Sequence, residues 1–541
     1  MKMKKLFLLF IVCCLWGICE GKALEAQNAH IKVTLLPHLG TCRAHNGCVF
    51  ATFRCTNRTA QTLPLEIILN GERYRDPHNL QLSRKVYLPG LSTSEISLTA
   101  PQLGRYFSIM DFKAVSESGV IVSTSGIFSY NNGNGVASPA FRPDVFEYLF
   151  HNFQKAPMPV KEWPADSRAY SNPGTIVLDS TDELPQKVKE ALRLAAARGG
   201  RIIVLVMGNA PWPEYAGVER KGKPFVENIG FGEWVVLRSQ AVDSNPKWKE
   251  FVNKKHSAGK RNKWDRAYRN IKWQESDILH HLNSVPFRKS SVSAPSLPVP
   301  PIPLGMLTAI MCCFVAIIGP VNYCWLKKYD RALWCLVTIP LLSLFFTGAV
   351  ITCVFVKEGF DAKSKGVVKT FLDQRTGLIA AAGGFSLYSP RSVGEFRFNS
   401  DDLLEFENPG KVQGFADREY VFAPSLLKTR MVLRYKARRS GYCSEKLVVT
   451  EKKDGIEVVN GLGVKLDSLY VSDSKGAFFK LTAPLEAGAR ALLQPVRTLP
   501  ENAGHLAKNC YVAHTSEPFY LKPGVRAQQR EFSQTINGRW K

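Results

Sequence analysis

Two long apolar runs near the middle of the chain dominate its hydrophobic pattern. Leu304–Leu326 and Ala332–Val356 contain no charged residue, and at about 1.5 Å of rise per residue each is long enough to cross a bilayer as a helix. The five residues between them, Lys327–Arg331, are too few to cross back, and three of the five are basic. The pattern predicts a transmembrane hairpin, 304–326 and 332–356, with a cytoplasmic turn. The alternative is a buried helical hairpin in a soluble domain.

The beginning of the chain predicts export. Three lysines among the first five residues precede the apolar run Leu6–Ile18, which is the form of a secretory signal peptide. We assign residues 1–22 to this signal peptide. The small residues Gly21 and Ala23 are suited to cleavage. An uncleaved anchor and a lipid attached at Cys19 are the alternatives. Export of the N-terminus and a cytoplasmic hairpin turn independently predict that both flanks of the hairpin lie outside.

Short runs of alternating polarity follow the signal segment. They predict strands separated by Gly, Asn and Pro, and several strands at this spacing favour a β-sandwich over residues 23–150. The runs are Ile31–Leu35, Val49–Cys55, Leu63–Leu69 and Val120–Phe128.

The hydrophobic period changes within residues 151–240. Thr175–Leu178 and Ile202–Met207 read as buried strands, and a helical stripe between them ends at Gly199. Thr181 or Asp182 is the predicted helix cap. Strand, helix and strand make a βαβ unit, so a small α/β domain is expected.

Carboxylates follow the first strand of this unit. Asp179 and Glu183 are candidate ligand-binding residues because loops at strand ends bind ligands in such sheets. The alternative is that they stabilise the loop. Residues 166–237 contain no cysteine and no histidine, which excludes a Cys–His nucleophile there.

A basic stretch and a Pro-rich linker occupy residues 241–303, in a chain of net charge +25. Aromatic residues alternate with the basic ones, which predicts binding to an anionic membrane surface or envelope polymer. The alternative is a solvated helix face. The candidate binding residues are Lys254, Lys255, Lys260, Arg261, Lys263, Arg266 and Arg269.

Residues 357–541 again alternate as strands do and predict a C-terminal, mainly-β extracytoplasmic domain, with a loose tail after Leu521. The runs are Phe385–Tyr388, Met431–Tyr435, Lys465–Val471 and Ala477–Leu481. The predicted fold class is therefore a multidomain membrane protein. It has an N-terminal β-sandwich, a small α/β (βαβ) domain, a two-helix transmembrane hairpin and a C-terminal mainly-β domain.

Cysteine usage and motif content limit the chemistry. In an oxidising compartment Cys42 can pair with Cys48, and Cys443 with Cys510; free thiols are the alternative. There is no CxxC, HExxH, Walker A or GxGxxG motif. The sequence therefore predicts no catalytic residue, no metal site and no cofactor.

The hairpin resembles a signature of poorly characterised bacterial envelope proteins. In that group a Gly-Pro-x-Asn-Tyr run ends one helix, a basic turn follows, and a Trp and a Pro lie in the next helix. The matching residues are Gly319, Pro320, Asn322, Tyr323, Trp334 and Pro340. The resemblance implies an immunoglobulin-like region and a degenerate class I glutamine amidotransferase-like α/β domain before the hairpin. It implies no particular activity.

These patterns together predict a non-enzymatic, multi-pass protein of the cell membrane, or of the inner membrane in a Gram-negative cell. Its extracytoplasmic domains would bind or scaffold a partner protein or an anionic envelope polymer. Its partners would then be the lipid bilayer and that component; nucleic acid is not expected outside the cell. The alternatives are an envelope enzyme acting near the α/β strand ends, and an accessory subunit of a membrane transporter.

Overall fold

The fold is described from a computed structural model. The structure describes residues 24–27, 29–36, 48–73, 76–103, 109–116, 119–126, 135–141, 153–156, 158–170, 174–207, 210–216, 225–239, 292–298, 304–329, 332–358, 361–407, 409, 412–417, 419–452, 455–498, 506–524 and 529–540. The predicted signal peptide, 1–22, lies outside these ranges.

Strands fill the first region. They are β1 Leu24–Gln27, β2 Ile31–Leu35, β3 Cys48–Asn57, β4 Leu63–Arg73, β5 Asp76–Leu88, β6 Thr93–Leu103, β7 Ile109–Ser116 and β8 Gly119–Gly126. The four predicted alternating runs match four of these strands, β2, β3, β4 and β8, within a few residues.

A mostly parallel sheet follows, formed by β9 Gly135–Ala137, β10 Phe153–Lys155, β11 Thr175–Asp179, β12 Arg201–Met207, β13 Phe225–Ile229 and β14 Gly232–Ser239. β11 and β12 pair in parallel and are joined by helix α1, Gln186–Ala197, as predicted. The predicted cap is wrong: Pro185 occupies the N-cap without a side-chain hydrogen bond. Gly199, at φ 116°, ends the helix as expected.

The two apolar runs form long helices. α2, Leu304–Ala316, continues through a π-helical turn, Ile317–Val321, into α3, Asn322–Lys328. After a 3-10 turn, α4 spans Cys335–Glu358.

The described residues after the hairpin lie mainly in strands, and the prediction of a loose tail after Leu521 is wrong. The last strand, Gln529–Arg539, pairs with Lys363–Asp373 on one side and Cys510–Thr515 on the other, and its Gln534 side chain donates to the Thr370 hydroxyl in the interior (2.8 Å). The strands are β15 Lys363–Asp373, β16 Leu378–Tyr388, β17 Phe396–Asn399, β18 Leu403–Glu407, β19 Val412–Ala416, β20 Glu419–Phe422, β21 Val432–Tyr442, β22 Lys446–Lys452, β23 Gly455–Gly461, β24 Ser468–Ser472, β25 Phe478–Lys480, β26 Arg490–Val496, β27 Cys510–Thr515 and β28 Gln529–Arg539.

Strands from before and after the hairpin share sheets. A large sheet of fifteen described strands runs from β1 to β22, and within it β6 pairs in parallel with β18. In a second sheet of seven described strands, β5 pairs in parallel with β19. The β-rich regions expected on either side of the hairpin are thus parts of one folded body.

The same two regions also share a hydrophobic core. Buried side chains of the large sheet, such as Phe53 and Phe406, pack in one cluster with Ile67 and Phe422 of the second sheet. Phe406 contacts three aromatic rings, with centroids at 5.6 Å from Phe422, 5.9 Å from Tyr435 and 6.1 Å from Phe398. Burial on this scale is the main favourable term in folding, so it favours folding of the two regions as a unit.

The α/β sheet packs against the large sheet through α1. Ala380 and Ala382 of β16 lie in the same core cluster as Leu192 and Ala196 of α1. The Ser440 hydroxyl donates to the Leu194 carbonyl at 2.9 Å. All eleven residues of β16 are buried, because both of its faces are covered.

A short segment before the hairpin, residues 292–298, runs alongside the second half of β16; we call it the strap. Val292 is buried in the α1 core, and the Ser386 hydroxyl donates to the Pro295 carbonyl. A Cβ added to Gly384 would lie 2.5 Å from the Ser293 carbonyl oxygen. A glycine is therefore required where the strap contacts β16, and the strap ties the segment that precedes α2 to the folded body.

A bidentate ion pair helps to hold the α/β unit in place. Arg168 donates to both carboxylate oxygens of Asp166 (2.5–3.0 Å) and to the Ser400 carbonyl (3.0 Å), which lies after the hairpin. Burial raises the pKa of Asp166, but the hydrogen bonds and charge of Arg168 outweigh burial and leave that pKa below its ordinary value.

Asp166→Asn is expected to lower the free energy of unfolding by about 2 kcal/mol at neutral pH. The folded-state pKa is depressed, so ionised Asp166 stabilises the fold above its unfolded pKa of about 3.9, and this stability is lost as pH falls through the folded pKa. Urea unfolding at neutral and acidic pH measures the effect. Glu95→Gln is the control: it breaks an exposed pair with Arg54 and should cost less than about 1 kcal/mol. A cost for Asp166→Asn that is equal at both pH values would contradict this account.

Candidate functional site

The hairpin exposes its apolar surface. Two helical stretches, Leu304–Lys328 and Cys335–Cys353, are long and apolar enough to cross a membrane, and none of the most apolar part of either is buried. Large side chains such as Leu336 (77% exposed) and Leu344 (74%) project outward. An exposed apolar surface of this length is unfavourable in water and favourable in hydrocarbon. The structure thus carries two apolar helices suited to membrane association.

Asn322 is a buried polar residue on the hairpin. Its side chain is 6% exposed, and its Nδ2 donates to the Thr338 hydroxyl on α4 at 2.9 Å. That hydroxyl in turn donates to the Trp334 carbonyl at 3.2 Å. The sequence indicates that Asn322 needs a partner in an apolar medium but not which one. Thr338, in the facing apolar run, is the residue that sequence reasoning missed.

Asn322→Leu and Thr338→Val are each expected to weaken the contact between the hairpin helices, and their combined effect should be less than additive. We expect a coupling energy of about 0.6–1.7 kcal/mol, the range of hydrogen bonds between membrane helices. Unfolding of the four variants in mixed micelles measures it. Thr347→Val is the control, because the Thr347 hydroxyl donates within its own helix, to Ser343. Zero coupling between Asn322 and Thr338 would refute the contact.

The remaining signature residues have distinct local settings. Pro320 lies in the π-helical turn, where a wider turn accommodates the missing N–H. A Cβ on Gly319 would meet nothing within 4 Å, so packing within the chain does not explain this glycine. The Lys327 ammonium lies 5.9 Å from the Tyr323 ring centroid. Trp334 is exposed, and Pro340 lies inside α4.

The strand ends of the α/β sheet are joined by local hydrogen bonds. The Asp182 carboxylate accepts from the Ser138 hydroxyl (2.9 Å) and from the Asp179 backbone N–H (2.8 Å). Asp179 in turn accepts from the Thr181 hydroxyl and N–H (2.7 and 2.9 Å). Glu183 is exposed. Asp179, one of the two predicted ligand-binding residues, therefore stabilises its own loop. Asp182 and Ser138 complete this hydrogen-bond network.

The chemistry of these carboxylates follows from their surroundings. Burial raises the pKa of Asp182 above its ordinary value, although hydrogen bonds from Ser138 and Asp179 oppose the change. Among the residues that the structure describes, no three His, Cys, Asp or Glu side chains are grouped to hold a metal ion. The hydrogen bonds of Asp179 and Asp182 at the strand ends can therefore order the loop that contains them.

A cleft of about 340 Å³ lies elsewhere, between α1 and the large sheet. Arg193, on its wall, donates to Glu227 at 2.8 Å, and Tyr442 is half-exposed at the opposite side. Burial, followed by the charge of Glu190, raises the pKa of Tyr442. The lining residues are Gln186, Lys189, Glu190, Arg193, Thr376, Leu378 and Tyr442. They mix both charge signs and do not include the predicted strand-end residues.

The remaining predicted sites are the cysteine pairs and the basic stretch. Cys443 and Cys510 are free thiols in the structure, and three strands (β16, β15 and β28) lie between the strands they adjoin. Cys42, the side chain of Cys48 and the seven basic candidates of 254–269 lie outside the described residues. Cys55 is buried in the sandwich core, and burial raises its pKa to about 12, so its thiol stays protonated at neutral pH.

Comparison with known proteins does not assign a family. No protein family model matches the chain, and no curated protein matches it. The yeast delta-COP-I mu-homology domain is similar over 33% of this chain and 94% of its own, with 9% identity and a TM-score of 0.18. A Paenibacillus sp. cycloisomaltooligosaccharide glucanotransferase is similar over 78% and 70%, with 11% identity and a TM-score of 0.22. Bacteroides uniformis beta-glucuronidase is similar over 35% and 24%, with 11% identity and a TM-score of 0.15. TM-scores this low assign neither a fold nor a function to this chain. Its own structure shows a mainly-β body of several sheets that carries two exposed apolar helices.

Proposed function

We propose that the chain is a membrane-anchored envelope protein whose rigid extracytoplasmic body binds or scaffolds a partner protein or an envelope polymer. One observation carries the proposal: the segments that enter and leave the hairpin belong to the same folded body. The strap, which precedes the hairpin, is hydrogen-bonded to β16. β15, which follows the hairpin, pairs with β16 along its whole length. Both ends of the hairpin therefore lie on one side of a membrane, as a two-span anchor requires.

The side is inferred from charge. The basic turn around Lys327 and Lys328 favours the cytoplasm, which leaves the body outside. An exported N-terminus and the resemblance to bacterial envelope proteins agree with this orientation. The same resemblance supports an immunoglobulin-like character for the first β region and an amidotransferase-like character for the α/β unit. In this proposal the α/β unit packs and scaffolds, because its strand-end carboxylates are engaged in loop hydrogen bonds.

Protease sites inserted at two positions test the orientation. One site is placed between Tyr329 and Ala332 in the hairpin turn; the control site is placed in the exposed turn at Glu486–Gly488. Protease added to intact spheroplasts is expected to cut the control site and spare the hairpin site, and lysed cells should show cleavage at both. Cleavage of the hairpin site alone in intact cells would reverse the proposed topology.

Crosslinking in intact cells, with the products identified by mass, tests the binding role. A scaffold is expected to yield one protein or polymer reproducibly, attached to described surfaces of the body. A version without the hairpin should lose a partner that resides in the membrane and keep one that is purely extracytoplasmic. Recovery of only self-crosslinked chains would argue against a scaffold for another protein or polymer.

A further inference from the structure

Both connections to the hairpin leave the large sheet at the same end. β15 begins at Lys363, whose register partner is Tyr388 at the end of β16. The strap lies close to Gly384 and then to Ser386, so it also runs towards Tyr388. Lys363 follows the last residue of α4, Glu358, by five positions. An extended residue spans at most about 3.5 Å, so this end of the sheet is held within roughly 18 Å of the hairpin.

Basic side chains gather at this end, which we call the membrane-side rim. The loop after β16 and the loop before β21 lie side by side there, because the Arg430 N–H donates to the Ser389 carbonyl at 2.9 Å. Met431 adds an apolar side chain that is 46% exposed. The basic residues of the rim are Lys363, Lys365, Arg391, Lys428 and Arg430.

Acidic residues at the rim are fewer and partly engaged. Glu531 is bonded to Lys365 at 2.9 Å, and Glu395 is bonded to Arg397 at 3.1 Å. Asp361 and Glu407 are further acids of the described rim; Glu407 is bonded to Lys436 at 3.2 Å and is the register partner of the exposed Arg434, which adds another positive charge. The rim therefore carries a net positive charge on the side of the body that the hairpin holds towards the bilayer.

We propose that the membrane-side rim binds the anionic phospholipid headgroups of the leaflet next to the body. The inference rests on the proposed membrane anchoring. Lys and Arg bind phosphate oxygens through charge-assisted hydrogen bonds, and each basic residue near an anionic leaflet favours the contact by roughly fivefold. Phospholipid is the matching occupant because the short connections hold the rim near headgroup height, where exposed Met431 meets the interface. The contact would fix the tilt of the body above the membrane.

Lysine labelling of the full chain in nanodiscs tests the proposal. The protein is reconstituted in phosphatidylcholine discs and in discs that also contain phosphatidylglycerol, then labelled with an amine-reactive ester and analysed by mass spectrometry. Lys428 is expected to react roughly fivefold or more slowly in the anionic discs, and high salt should remove the difference. Lys446 and Lys475, at the opposite end of the sheet, serve as internal references and should not change.

A charge-reversal pair separates lipid contact from general effects. Lys363→Glu with Arg391→Glu should abolish most of the lipid-dependent protection of Lys428. The matched control, Lys446→Glu with Lys475→Glu, changes the net charge equally and should retain that protection. Equal labelling of Lys428 in both kinds of disc, or protection that survives the rim substitutions, would overturn the proposal. Failure of the membrane anchoring itself is distinguishable, because the chain would then not incorporate into discs of either composition.

Discussion

Replacing residues 304–356 with a flexible Gly/Ser linker, in a chain that begins at Leu24, is expected to give a folded protein that stays in water without detergent. The hydrophobic cores formed by described residues include none from the hairpin, so removing the hairpin should leave the body intact. A linker of about twelve residues has a root-mean-square span near 19 Å, which suits two attachment points at one end of the sheet. Size-exclusion chromatography and thermal unfolding measure the outcome.

The two flanks expressed separately are the control for this experiment. Residues 24–298 alone would leave β5 and β6 without their partners β19 and β18. Residues 361–540 alone would leave β19 and β18 without β5 and β6. Unpaired edges of this kind aggregate, so each half is expected to be insoluble or to require co-expression. If both halves folded alone and melted independently, the shared core would not be the basis of stability.

Phe406→Ala is expected to lower the free energy of unfolding by about 3–5 kcal/mol, the usual cost of removing a fully buried aromatic side chain. Phe406 is 0% exposed and lies on β18, the strand that pairs with β6 of the first region. Because its ring packs in the core common to both sheets, the loss should destabilise the regions before and after the hairpin together. Denaturant unfolding of the linker version gives the value.

Phe415→Ala is the matched control for that substitution. Phe415 lies in β19 of the second sheet, and its side chain is 57% exposed. Its removal should change stability by no more than about 0.5 kcal/mol. Similar costs for the two substitutions, or a separate transition for the first region in the Phe406→Ala protein, would contradict a common core.

Local pattern predicts much of the secondary structure. The alternating runs around Ile31, Phe53 and Leu65 became strands because each has one buried face. The stripe in α1 became a helix because its apolar positions repeat at helical spacing. Two local predictions failed: the cap at Thr181 or Asp182, and the tail after Leu521. In the first, Asp182 bonds to Ser138 instead, and in the second, burial of Gln534 against Thr370 orders a strand that looks polar on its own.

Partners distant in sequence could not be predicted in the same way. Asn322 indicated that a hydrogen bond was needed, but Thr338 is identified only when the helices are placed side by side. Arg168 and Ser400 are 232 positions apart, and nothing in either neighbourhood points to the other. The membrane-side rim likewise combines loops that are separate in the sequence.

The sequence by itself determined the two apolar helices, the basic turn between them and the positions of some of the strands, because hydrophobicity and its period act over a few residues. Only the tertiary structure decided that the β regions before and after the hairpin form one body, through β6 with β18 and β5 with β19. Each exposed strand edge could pair with many other edges, and the pairs that form are those whose side chains fill a common core. That choice brings both ends of the hairpin to one end of the sheet.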